Sequence, residues 1–237
     1  MGRRGLTDWM RRLLWAAGGR PEGVREAHLK ALDSLPWREP YRARSFVALD
    51  CEMTGLDPER DEILSIGAVR IRESRVVLQE RFYQVFKPNE AVSPKEVILI
   101  HGLGPEEVAR GRPLPEALGA LLDFLGDSVL VGHFTEVDLA FLNAALVKHR
   151  GEPLQLPALD TRLLYRWWWR RQPGAPPGPT DESLEATVAM LDLPRYPAHH
   201  AFYDALSAAL LFVKLLEEFE AAGQVQFRAL FKEMGVY

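Results

Sequence analysis

Cysteine is almost absent from this chain: one in 237 residues, Cys51. That excludes an internal disulfide and a zinc centre built on paired thiolates. No apolar run reaches the roughly 18 residues that a membrane span needs. The first residues also lack the apolar core and small-residue cleavage site of a signal peptide, so a soluble, cytoplasmic protein is expected. A basic excess is missing too, since 29 Lys and Arg face 33 Asp and Glu for a formal net charge of -4. Overall charge therefore does not mark a nucleic-acid binder. It is unevenly spread: residues 1–44 hold ten basic and five acidic side chains, a net of +5, which leaves 19 minus 28, or -9, for the rest. There is no internal repeat, and the length suits one α/β domain with appendages.

The most informative stretch is Phe46-Val47-Ala48-Leu49-Asp50-Cys51-Glu52-Met53-Thr54-Gly55-Leu56-Asp57. A strand-forming apolar run leads into Asp50 and Glu52, which, two apart on a strand, face the same side. Cys51 between them faces the opposite, core side. Thr54-Gly55 then breaks the strand, which places the pair at a strand end where a ligand can approach. Two carboxylates so close repel unless one is protonated or a cation lies between them. An exposed edge strand with solubilising charges is the plain alternative. Two later aspartates argue against it: Asp138, in the first turn of a helix after the short strand Ser128 to Val131, and Asp204, near the start of a long final helix and preceded by His199 and His200.

This set, in this order, resembles the DEDDh family of 3'-to-5' exonucleases, which includes the proofreading subunit of bacterial DNA polymerase III and the oligoribonucleases. Asp50 and Glu52, with Thr54-Gly55-Leu56 behind them, match the family's first motif. Asp138, followed by Phe141-Leu142, matches the second, and Asp204 the third. His199, five residues before Asp204, matches the general base, with His200 as the neighbouring alternative. The chain departs from the pattern at Met53, where many members have threonine, at Phe134, where asparagine is usual, and at Val137, often phenylalanine. With Met53, the first motif looks more like that of an oligoribonuclease. The resemblance implies a ribonuclease H-like α/β fold with a mixed, mostly five-stranded sheet flanked by helices. It also implies that the backbone around Met53, Thr54 and Gly55 meets the terminal nucleotide and that Leu56 lies against a base. His133 suits a structural role or, being close to the second motif, a place lining the cleft, and Phe134 beside it is a further candidate for substrate contact.

The rest of the chain fits that frame. Residues 1–44 read as a basic helical extension, 45–220 as the exonuclease domain and 221–237 as a helical tail. Leu6, Trp9, Met10, Leu13 and Leu14 have helical spacing among arginines, which suits packing on the domain or on a second copy, or else a polyanion. A second helix is expected from about Pro21 to Leu35. Strands are expected near Ser45 to Leu49, Ile63 to Ile71 and Val76 to Phe86, with a turn at Glu73-Ser74. Further helices are expected after Ser93-Pro94, ending at His101-Gly102, and over Pro113 to Leu125, Glu136 to His149, Ser183 to Leu191 and Ala201 to Ala221. Leu159-Asp160 ends a strand and leads into a helix bearing Trp167-Trp168-Trp169. Those tryptophans, with Arg162, Arg166, Arg170 and Arg171, suit a half-core, half-solvated face, or alternatively a track for a single strand. The run Pro173 to Pro179 is an irregular loop. Asp160 suits a helix cap, or alternatively a place lining the site, and Glu136 a helix-start carboxylate, or alternatively a contact to a metal-bound water.

Phosphodiester hydrolysis needs an activated water and a stabilised leaving oxygen, which two divalent ions about 3.5 to 4 Å apart can serve. Converging carboxylates suit two Mg2+ or Mn2+ ions. The metal ligands expected are Asp50, Glu52, Asp138 and Asp204. Histidine, with an ordinary pKa near 6.5, can take the proton of the attacking water. The expected activity is removal of nucleoside 5'-monophosphates from 3' ends of single-stranded DNA. RNA ends are the alternative, and an inactive binding module a remote one. A DNA polymerase or a second copy of the chain is the candidate protein partner.

Overall fold

The computed structural model describes residues 23–88 and 103–232. The expected helices over Leu6 to Trp15 and after Ser93-Pro94 lie outside the described residues. Five strands form one sheet in the order β3-β2-β1-β4-β5: β1 (Phe46–Met53), β2 (Ile63–Arg72), β3 (Arg75–Val85), β4 (Val129–Gly132) and β5 (Ala158–Asp160). The first three pair antiparallel, while β4 and β5 join parallel to β1. The helices are α1 (Val24–Asp33), α2 (Pro105–Ala109), α3 (Leu114–Leu125), α4 (Thr135–Arg150), α5 (Thr161–Trp169), α6 (Leu184–Met190), α7 (Ala201–Ala221) and α8 (Phe227–Lys232). Helix α2 was not legible in the sequence, because five residues are too short to establish a period. Among the described residues no helix is long and apolar enough to cross a membrane.

Strand β1 is central and nearly all buried, which explains its continuous apolar run, since a strand covered on both faces need not alternate. Its side chains separate cleanly. Phe46 and Ala48 pack with α7, α5 and α8 on one face, while Val47, Leu49 and Cys51 pack with α3 and α4 on the other. The strand also runs further than expected. It stays paired with β2 to Met53, past Leu49, so Asp50 and Glu52 lie within the ladder and not beyond its end. On the other side β4 accompanies it only from Phe46 to Ala48. The carboxylates therefore emerge where one neighbour continues and the other has stopped.

The β2–β3 hairpin turns on Glu73 and Ser74, both left-handed with φ 51° and 56°, as a two-residue turn compatible with strand twist requires. Helix α7 buries Ala201, Ala205, Ala208, Phe212, Leu215 and Phe219 at three- and four-residue steps against the sheet. Its first turn lies directly on β2 at Gly67, where an added Cβ would sit 2.2 Å from the backbone of Ala201 and Phe202. The segment from α1 to β1 and the segment carrying α8 share this core. Tyr41 is wholly buried, its hydroxyl donating to Leu216 O at 3.2 Å, and Pro40 bridges Gln226.

Candidate active site

Three of the expected carboxylates converge. Oxygens of Asp50, Glu52 and Asp204 lie within 4.8 Å of one another. Asp50 and Glu52 come from the α7 face of β1, and Asp204 from the first turn of α7, held there by the contact at Gly67. Asp204 is oriented locally: its Oδ2 accepts from the His200 N–H at 3.1 Å, one of the amides at the helix start. Asp138 approaches from the other side of the sheet, on the first turn of α4. Its Oδ1 accepts from the backbone N–H of Cys51 at 2.9 Å, where β4 no longer runs alongside β1. That bond ties the second motif to the first.

The electrostatics are those of carboxylates crowded together in a buried place. Burial, then Asp138, Glu52 and Asp204, hold the Asp50 carboxyl well above the usual range. Burial pushes Asp138 up to about 8, although the Cys51 amide opposes the shift. Burial and Glu52 raise Asp204 to about 6. The site thus resists its own charge, and an all-oxygen donor set of this kind suits divalent metal ions.

The loop after β1 is held by Asp61. Its carboxylate accepts from the Thr54 hydroxyl at 3.3 Å and the Asp57 N–H at 2.8 Å. It passes so close to Gly55 that a Cβ there would lie 2.4 Å from Asp61 Oδ2, so a side chain at this position would displace the carboxylate from these contacts. Met53 and Thr54 are half-buried, whereas Leu56, four residues after Glu52, is 82% exposed, an apolar side chain open to solvent. His199 is exposed and left-handed, with φ 59°. His200, half-buried, stacks on Tyr83 at 4.8 Å and leans on Tyr203 at 4.6 Å, with its Nδ1 buried and unpartnered. The two adjacent histidines are thus distinct: one ring is packed and the other is free in solvent.

His133 is buried beneath Phe134. Its Nδ1 lies 2.8 Å from Thr161 Oγ1 and its Nε2 2.6 Å from Glu182 O. Burial lowers its pKa to about 4, so the ring is neutral, and its partners assign the proton to Nε2. Phe134 is 37% exposed and precedes α4 in a left-handed conformation, φ 58° and ψ 42°. Asp160 caps α5, accepting from Arg162 N at 2.8 Å. Glu136 is buried and faces Arg162. The tryptophans divide as core and boundary: Trp167 is buried and stacks on Phe219 at 3.8 Å, while half-buried Trp169 donates to Pro176 O at 3.0 Å and pins the proline-rich loop.

Tyr83, Asp61 and Gly67 were not singled out by the sequence. Tyr83 and Gly67 become informative only through strand register, which pairs Gly67 with both Asp50 and Tyr83. Asp61 had a weak local signal, an acidic residue four after Asp57 in a turn.

The family model described as Exonuclease matches residues 47–212, which include all four carboxylates and both histidines. The chain is similar to the DNA polymerase III subunit epsilon of Aquifex aeolicus, 30% identical over 185 residues, 78% of this chain and 87% of that protein. It is likewise 30% identical over 190 residues to the PolC-type DNA polymerase III of Thermotoga petrophila, covering 80% of this chain but only 13% of that much longer protein. Among solved structures, Escherichia coli exonuclease I in complex with a dT13 oligonucleotide superposes with a TM-score of 0.65 at 16% identity, over 76% of this chain and 42% of that one, a likeness of fold. The mixed five-stranded sheet is thus that of the ribonuclease H-like exonucleases, and the chain belongs to the exonuclease family.

Proposed function

We propose that this metal-dependent 3'-to-5' exonuclease acts on single-stranded DNA, with Asp50, Glu52, Asp138 and Asp204 holding two Mg2+ or Mn2+ ions and His199 serving as general base. The observation that carries the reading is the convergence of Asp50, Glu52 and Asp204 within 4.8 Å, with Asp138 tethered to the intervening backbone. The raised proton affinities of Asp50, Asp138 and Asp204 fit such ions, because a bound cation removes the repulsion that raises them. The four carboxylates would hold the divalent ions, which when bound would supply Lewis acidity to the attacking water and the leaving oxygen.

The chain's own groups do the remainder. The exposed ring of His199 is free to take the proton of the attacking water, whereas the packed ring of His200 is committed to Tyr83 and Tyr203. The pinned loop of Met53, Thr54 and Gly55 presents backbone to a terminal nucleotide, and exposed Leu56 offers an apolar surface to its base. DNA is supported by the epsilon and PolC-type relatives and by the dT13 complex of exonuclease I. The same relatives, by their names, support a DNA polymerase as partner.

The test is to offer 5'-labelled single-stranded DNA, duplex DNA, RNA and two- to five-nucleotide RNAs with Mg2+ or Mn2+, and to size the products. Single-stranded DNA should shorten one nucleotide at a time from the 3' end, and chelator should abolish the reaction. A higher kcat/KM on short RNAs would replace DNA with RNA, and internal cuts would overturn the exonuclease polarity.

A further inference from the structure

Four residues before Asp138, Phe134 breaks three local rules at once. It is a bulky side chain in the left-handed region, φ 58° and ψ 42°, a conformation that side chains of its size rarely adopt. It occupies the N-cap of α4 without a capping hydrogen bond, where Ser, Thr, Asp or Asn would supply one. It also leaves an aromatic ring 37% exposed. Local rules broken together mark functional positions more often than structural ones.

The ring is not loose. The Arg162 guanidinium lies against it at 4.4 Å from the centroid, and the His133 ring meets it edge-on at 5.2 Å and 81°. His133 is itself tied to Thr161 and Glu182. Arg162 is 5% exposed and flanked by two buried carboxylates, Glu136 and Asp160, each 3.4 Å from Nη2, with its Nε and Glu136 Oε2 unpartnered. Ion pairs optimised for stability are shorter and fully hydrogen-bonded. Buried pairs in general add little net stability after desolvation. What this arrangement does provide is a guanidinium fixed under an exposed ring, on the helix whose first turn carries Asp138.

We infer that Phe134 is a base-stacking platform for the single strand near its 3' end, and that Arg162, held by Glu136 and Asp160, is the positioning residue that keeps its ring in place. The inference rests on the exonuclease reading above. Every base has a flat face, so such a platform binds without regard to sequence, and cation–π contact from below favours one ring orientation.

The experiment measures kcat and KM on a single-stranded oligonucleotide and on copies bearing one abasic site at each of the last four positions. Phe134→Asn suits the fold, because asparagine tolerates the left-handed region and can cap α4. It should leave the melting temperature no lower than wild type, yet raise KM about 5- to 150-fold, the range that base–aromatic stacking supplies, with kcat within about threefold. The rise should vanish on the strand lacking the stacked base, and Phe134→Tyr should restore the wild-type KM. Arg162→Lys keeps the charge and loses the flat group. It should raise KM in the same direction and add little to Phe134→Asn when the two are combined. An unchanged KM in Phe134→Asn, or an equal rise on every abasic strand, would overturn the platform. A fall in kcat or melting temperature with unchanged KM in Arg162→Lys would show that Arg162 supports α4 and Asp138 instead. Wild-type protein that cleaves no strand would sink the exonuclease reading itself, whereas cleavage indifferent to Phe134 would sink only this one.

Discussion

Gly67→Ala tests the way the site is assembled, because it alters neither a carboxylate nor a histidine. The new methyl would lie 2.2 Å from Ala201 C and Phe202 N and 2.3 Å from Ala201 O. These are backbone atoms, so no side chain can swing away. To reach an ordinary contact of about 3.5 Å the first turn of α7 must move off β2 by about 1 Å. Overpacking of this kind costs about 1 to 3 kcal/mol, and in a domain of this size each kcal/mol lowers the melting temperature by about 2 to 4 °C. The larger effect should be on rate. Asp204 and His199 flank that turn while Asp50 and Glu52 stay on β1, and a misplacement near 1 Å can cost about 10²-fold in turnover. The assay is kcat on labelled single-stranded DNA with Mg2+, alongside thermal melting. Gly119→Ala is the control: it lies within α3, where a Cβ would meet only Arg150 Nη1 at 3.8 Å, so it should keep full activity and melt no lower. If Gly67→Ala retained kcat within threefold and its melting temperature within a degree of wild type, α7 would not be seated on β2 as described.

Metal-free protein should lose stability as pH rises. Burial, with Glu52 adding to it, raises Asp138 to about 8 in the folded state, so its contribution is fully present below the unfolded carboxylate pKa near 4 and is lost as pH climbs through about 8. His133, lowered to about 4, works in the opposite direction only below its unfolded value near 6.5, so the clean window is pH 6.5 to about 9. Melting in chelator across that window should fall by several degrees, and Mg2+ or Mn2+ should raise it more at the alkaline end. A flat or rising curve in chelator would refute the charge crowding. For the base, His199→Ala should lose about 10² to 10⁴ in kcat with its melting temperature unchanged. His200→Ala, which removes a ring packed between Tyr83 and Tyr203, should instead lower the melting temperature and cost less rate. Equal small rate losses in the two would remove His199 from the mechanism.

Much of this protein was legible in sequence because its signals are local. The alternation across Asp50, Cys51 and Glu52 settles which side chains share a face, and the sheet obeys it, with Cys51 packed among Leu139, Phe141 and Leu142. The bounds of α7 follow from the spacing of Ala201, Ala205, Phe212 and Phe219 and are those expected. The tertiary structure decided what depends on neighbours distant in sequence. The length of β1 past Leu49 is set by β2, which supplies partners as far as Met53. Glu136 and Asp160 read singly as helix-start residues and Arg162 as one of the arginines accompanying the tryptophans, and only the parallel pairing of β4 and β5 brings their helices close enough to enclose a shared charge cluster beneath Phe134. The two adjacent histidines are equivalent in composition. Their difference, one exposed with a left-handed backbone and one stacked on Tyr83, arises because β3 places a ring across from Gly67, a pairing set by register between strands and carried by no local pattern of residues.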